Sequence, residues 1–133
     1  MSPDLEQKIV EEFPWMKGSD DPDTSYNPYD VYYCEHGDGW YELIRGACTD
    51  ITAAYGVKGI SVDVIPAQIK EKYGTLRLYL DCDNPDMRRE VQSIIRKWED
   101  ESCSVCESCG ADGTLRTNRS WIQTLCDTCD KRF

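Results

Sequence analysis

Ile60-Ser-Val-Asp-Val-Ile-Pro-Ala-Gln-Ile-Lys-Glu-Lys-Tyr-Gly-Thr-Leu-Arg-Leu-Tyr-Leu-Asp-Cys82 is the stretch that decides the fold class. Leu76, Leu78, Leu80 and Cys82 alternate with Arg77, Tyr79 and Asp81, the period of a strand with one buried face. Upstream, Ile65, Ala67 and Ile69 are expected on one face and Gln68, Lys70 and Lys72 on the other, with a tight reversal at Gly74. Pro66 has no amide to give to a ladder, so an edge position or a bulge is expected there. The stretch reads as an antiparallel hairpin.

Helical patterns flank it. Ser2-Pro3 supplies an N-cap and a first-position proline, and Leu5, Ile9, Val10 and Phe13 recur at helical spacing over residues 3–13. Asp38-Gly-Trp40 opens a second helix, whose stripe Trp40, Leu43, Ile44, Ala47, Cys48, Ile51, Ala54 and Tyr55 is expected to end at Gly56. Asn84-Pro85 begins a third over residues 85–101, with Met87, Val91, Ile94, Ile95 and Trp98 on its apolar face. Residues 1–101 thus form an acidic α+β body of order α-α-β-β-α, its helices covering one face of a small antiparallel sheet. Residues 17–38 show no period, and a short strand at Val31–Cys34 is the one element expected in them.

The last quarter is different. Cys103-Ser-Val-Cys106-Glu-Ser-Cys109-Gly110 and Cys126-Asp-Thr-Cys129 stand in a segment too poor in apolar side chains to fold around a core of its own. Four thiolates on one Zn²⁺ supply folding free energy to such a segment. The pairs 103/106 and 106/109 have equal spacing, but a metal-binding knuckle turns sharply, and Gly110 can take the positive φ that follows its last cysteine. The expected ligands are Cys106, Cys109, Cys126 and Cys129, with Cys103 as an alternate. An iron–sulfur or redox site is the competing use of such cysteines. A hairpin formed by residues 114–116 and 121–125 makes residues 102–133 a zinc ribbon or a truncated treble clef, docked on the body without a flexible linker. Zinc with four sulfur ligands has no open position, which makes its role structural.

Charge is unevenly placed. Residues 1–60 carry 12 acids and 4 bases, a net −8 of the chain's −10, while residues 102–133 carry 4 of each. A chain this acidic does not grip phosphates, and its natural complement is a protein with a basic surface. Asp20, Asp21, Asp23, Tyr26, Tyr29, Asp30, Tyr32 and Tyr33, acids interleaved with aromatics, are the expected contact residues. The alternative is a nucleic-acid-binding finger using Arg116, Arg119 and Trp121. With no apolar run of spanning length and no signal-peptide pattern at Met1-Ser-Pro-Asp-Leu-Glu-Gln-Lys8, a cytoplasmic chain free of membranes is expected.

Catalytic constellations are sparse. Cys34 and His36 would share a face if extended, but the acids Glu35 and Asp38 raise a thiol's pKa, opposite to what a nucleophile requires. Asp63 with Gln68 and Lys70 has part of a metal-dependent nuclease triad and lacks its central acid. No enzyme activity is expected.

Gly39-Trp-Tyr-Glu-Leu-Ile44, Ile69-Lys-Glu-Lys-Tyr-Gly-Thr-Leu-Arg-Leu-Tyr79 and the closing Cys106-Glu-Ser-Cys109-Gly110, Trp121 and Thr124-Leu-Cys126 follow one another in order. Together they resemble a group of small bacterial and bacteriophage proteins that end in a zinc ribbon. The resemblance covers about residues 38–130 and implies a setting, that of a phage or prophage accessory gene, without a mechanism. In that setting a non-catalytic, acidic protein-binding chain is expected to be an accessory or inhibitor protein acting on a basic surface of a host or defence protein.

Overall fold

The computed structural model describes residues 1–18, 29 and 33–132. Its centre is the hairpin of β2 (Val64–Lys72) and β3 (Thr75–Cys82), joined by the two residues Tyr73 and Gly74 and preceded by a short β1 (Cys34–Glu35). Both loop residues have positive φ, 52° and 82°, as a type I′ turn requires. Glycine takes that conformation freely. Tyrosine pays about 1 kcal/mol for it.

Leu76, Leu78 and Leu80 are buried on one face of β3, as their alternation indicates. On β2 the expected phase is corrected: Val64 is buried, Ile65 is exposed and Ile69 is buried again. Pairing shifts between Pro66 and Gln68, so one extra residue flips the side chains between Ile65 and Ile69. β1 joins the other side of β2 in parallel, pairing Cys34 with Ile69 and Glu35 with Lys70. The sheet is therefore mixed rather than antiparallel, in the order β1-β2-β3. Among the described residues β1 pairs only with Ile69 and Lys70, and the irregularity expected at Pro66 is the shift of register between Pro66 and Gln68.

The helices cover the buried face. In α1 (Pro3–Glu12), Pro3 stands in the first turn and Asp4 and Glu6 meet its positive end, but Ser2 makes no side-chain cap. Instead the Ser2 amide donates to Asp38 Oδ1 (2.7 Å), and the Met1 nitrogen donates to the carbonyls of Cys34 and His36, fixing the chain start beside β1. A 3₁₀ turn at Pro14–Lys17 buries Met16. The segment Asp38–Trp40 is likewise a 3₁₀ turn, and α2 (Tyr41–Val57) follows it. Leu43, Ile44, Ala47, Cys48, Ile51, Ala54 and Tyr55 are its buried stripe. Gly56 lies within this helix, and the left-handed cap is Gly59 (φ 69°), with Ile60 N bonded back to Tyr55 O at 3.2 Å.

Asn84 caps a turn, accepting from Asp86 N (2.9 Å), and α3 (Arg88–Glu101) begins three residues later than the proline suggests. It buries Val91 and Ile95 and rests Trp98 against Gly46 of α2, where a Cβ would stand 2.4 Å from the indole. The Trp98 indole nitrogen also donates to Asp50 Oδ2 (2.9 Å). Among the described residues, no helix is long and apolar enough to cross a membrane.

Candidate metal centre

The end of α3 delivers the chain to the cysteines. A 3₁₀ turn at Ser102–Ser104 buries Ser102, whose hydroxyl accepts from Leu76 N on the free edge of β3 (2.9 Å) and donates to Glu99 O (2.5 Å). Val105 O then accepts from the buried Trp40 indole (2.9 Å), and Gly39 N donates to Glu107 O (2.7 Å). The backbones approach so closely that a Cβ on Gly39 would stand 2.1 Å from Cys106 O. These contacts join residues 102–133 to residues 1–101 through a glycine and a tryptophan that the sequence shows only as the opening of a helix.

The knuckle follows. Gly110 N bonds Cys106 O (2.9 Å), Cys106 N bonds Ala111 O (2.7 Å), and Gly110 has φ 86°, the conformation expected of it. Strands β4 (Thr114–Arg116) and β5 (Gln123–Leu125) form a hairpin, and Trp121 lies outside it. Cys126 is the N-cap of α4 (Asp127–Asp130), where its sulfur accepts from Cys129 N (3.4 Å). Thr124 is buried and donates from its hydroxyl to Gly74 O (2.7 Å), tying this hairpin to the turn of the body's hairpin.

The sulfurs of Cys106, Cys109, Cys126 and Cys129 all lie within 4.8 Å of one another, and those of Cys109 and Cys126 are 3.6 Å apart. A tetrahedron with metal–sulfur bonds of about 2.3 Å has edges of about 3.8 Å, so this donor set fits one metal ion with little adjustment. Cys106 and Cys129 are buried beside Leu125, while Cys109 is exposed. Cys103, the expected alternate, is exposed and stands outside this group, carried on the 3₁₀ turn of residues 102–104 before the knuckle begins.

The thiols are not equivalent. Burial pushes Cys106 up, but amide hydrogen bonds from Cys126, Cys109 and Ser108 outweigh it and bring the group down to about 6. At Cys129 a hydrogen bond from Ser108 favours the thiolate, yet burial and the neighbouring Cys126, Cys109 and Cys106 carry it up to about 12. One negative charge is easy in this cluster and a second is hard. A divalent cation reverses that balance.

The other sequence-derived candidates are scattered or engaged. Arg116 donates to Leu125 O (2.9 Å) and Asp127 Oδ1 (2.9 Å) and approaches Asp130 Oδ2 (3.6 Å). Arg119 bonds Asp130 Oδ1 (2.6 Å) and Asp130 O (3.1 Å). Both side chains are more than four-fifths covered, at 19% and 17% exposure, so these guanidinium groups secure α4. Trp121 is exposed. Of the expected protein-contact set, Tyr29 is corrected to a core residue, its ring edge-on to that of the exposed Tyr33 at 6.1 Å. Asp20, Asp21, Asp23, Tyr26, Asp30 and Tyr32 lie outside the described residues.

Cys34 and His36 are both buried. Burial, then the Glu6 carboxylate, pushes the thiol up to about 12. Burial holds His36 down at about 4; its Nδ1 hydrogen bonds Gly37 O (2.7 Å) and its Nε2 has no partner among the described residues. Asp63 is occupied by the Tyr55 hydroxyl at 2.5 Å.

His36 gives a pH signature. The unfolded chain protonates it near pH 6.5, while the folded chain resists down to about 4, because the added proton on Nε2 would be buried without an acceptor. Its contribution is full above pH 6.5 and is lost as pH falls toward 4, by about 3 kcal/mol. Denaturant titrations of His36→Asn should show that slope removed; an unchanged slope would refute this origin.

No protein-family model matches the chain, and no curated protein and no solved structure matches it.

Proposed function

We propose that Cys106, Cys109, Cys126 and Cys129 hold one structural Zn²⁺ in a truncated treble clef, and that the chain is a non-catalytic module that binds a protein with a basic surface. The convergence of the four sulfurs within 4.8 Å supports the metal reading. The second pair opens a helix, as a treble clef requires, and that helix is only four residues long. The residues supply what the metal needs: four sulfur donors, amide hydrogen bonds that offset thiolate charge, and two arginines tying the last helix to the hairpin. When bound, Zn²⁺ contributes a fixed cross-link rather than a reactive centre.

The protein-binding reading rests on the net −8 of residues 1–60. The engaged states of Arg116 and Arg119 favour it over a nucleic-acid finger. Taken with the resemblance, it makes the chain an accessory or inhibitor protein of phage or prophage type, acting on a host or defence protein. The test is affinity chromatography of bacterial lysate on the intact chain and on a variant with Asp20, Asp21, Asp23 and Asp30 all changed to Asn. Retention of a basic protein should fall at least about tenfold in the variant and in high salt. Equal retention by both would refute the electrostatic basis.

A further inference from the structure

Two large aromatic side chains stand exposed where the two parts of the chain meet. Tyr73, at the tip of the β2–β3 turn, is 72% exposed, and Trp121, on the β4–β5 connection, is 65% exposed. They line one open cleft of about 310 Å³, together with Glu71, Ser120 and Ile122. Neither position is required for packing. Tyr73 is also in the left-handed conformation at a site where asparagine or glycine would fit without strain. Strain retained in a side chain that buries little is a mark of function rather than of folding.

The two walls of the cleft are tied together. Its tyrosine wall belongs to the body and its tryptophan wall to the cysteine module, joined by the Thr124 hydroxyl on Gly74 O and by Leu115 against Gly74. Its one charged lining residue is Glu71, one oxygen of which accepts from Gly74 N at 2.7 Å and is thereby fixed. An aromatic pair beside a carboxylate favours a cation, above all guanidinium, which stacks on a ring and pairs with a carboxylate. The Tyr73 ring already attracts one, the ammonium of Lys72 lying 5.9 Å from its centroid.

We propose that the Tyr73–Trp121 cleft is the specific contact site for an arginine side chain of the partner protein, with Glu71 as its counter-charge. This rests on the basic-partner reading and locates within it a second element: the acidic N-terminal half supplies attraction at a distance, and the cleft supplies selectivity.

The probe is a ten-arginine peptide titrated into the metal-loaded full chain, followed through tryptophan indole N–H resonances. The Trp121 resonance should shift saturably while that of the buried Trp40 stays in place. Trp121→Ala should weaken binding about tenfold. Tyr73→Asn should weaken it comparably while raising the unfolding midpoint by about 2–4 °C, a pairing of effects that mere loss of structure would not give. The four Asp→Asn changes should lower affinity and leave the Trp121 shift intact. Peptide binding without a Trp121 response, indifferent to both cleft variants, would overturn the cleft and spare the basic-partner reading. No binding at low salt would overturn both. A tighter, Trp121-shifting complex with oligothymidine or ten-glutamate would overturn the assignment to arginine.

Discussion

Cys106→Ser is expected to abolish stoichiometric metal binding and to unfold the C-terminal module. Cys106 is the most buried of the four clustered cysteines, and hydrogen bonds from three amides bring its thiol down to about 6 against the effect of burial. Its loss takes away the ligand on which the remaining charge can build. Structural zinc contributes about 10–16 kcal/mol of apparent free energy to small zinc modules near neutral pH, far above what a core of Leu125 and the cysteines themselves provides. Native mass spectrometry of the wild type should show one metal ion per chain, and the variant none after dialysis. Amide exchange over residues 105–132 should rise to the unprotected rate. Cys103→Ser, outside the cluster, should keep its metal. A Cys106→Ser protein that retains one equivalent would sink the assignment.

Gly39→Ala should have the second largest effect. The new methyl would stand 2.1 Å from Cys106 O and 2.6 Å from Glu107 O, both backbone atoms of the knuckle. No side-chain rotation relieves such a clash, so either the 38–40 turn or the knuckle must shift, breaking the bond from Gly39 N to Glu107 O. The expected cost is about 3 kcal/mol or more, measured by denaturant unfolding. Gly56→Ala is the matched control. Nothing lies within 4 Å of its Cβ position, and inside a helix alanine is the better residue, so a gain of about 0.5–1 kcal/mol is expected. Equal effects at the two positions would show that the close approach does not exist.

Local patterns carried most of what the sequence reveals here. The three helices follow from apolar spacing, the hairpin from alternation around Gly74, and the clustering of Cys106 and Cys109 with the second cysteine pair from one glycine after Cys109. What escaped is non-local. β1 meets the short strand expected at Val31–Cys34 only at Cys34, and its parallel pairing with Ile69 and Lys70 is something no local period announces. The bulge near Ala67 was signalled by Pro66 as an irregularity but not as a change of face, since that depends on register with β3. Arg116 and Arg119 look like surface cations in a loop-rich tail, and only the return of α4 beside the hairpin shows that Asp127 and Asp130 neutralise them. Tyr29 resembled its neighbours in composition, yet it is core. The seating of the module depends on Gly39 and Trp40, residues whose own helix gave reason enough for them.

The hydroxyl of Ser102, bonded to Leu76 N at the edge of β3, has a consequence beyond joining two parts. It closes an amide that would otherwise offer β3 to another strand, and it does so from the residue just ahead of the cysteines. Loosening the module therefore uncovers the edge of β3 at Leu76, while the Leu78 amide stays bonded to Glu99 Oε2 of α3 (2.9 Å). Demetallated protein is expected to self-associate through that edge in a concentration-dependent way, so that metal supply governs solubility as well as shape.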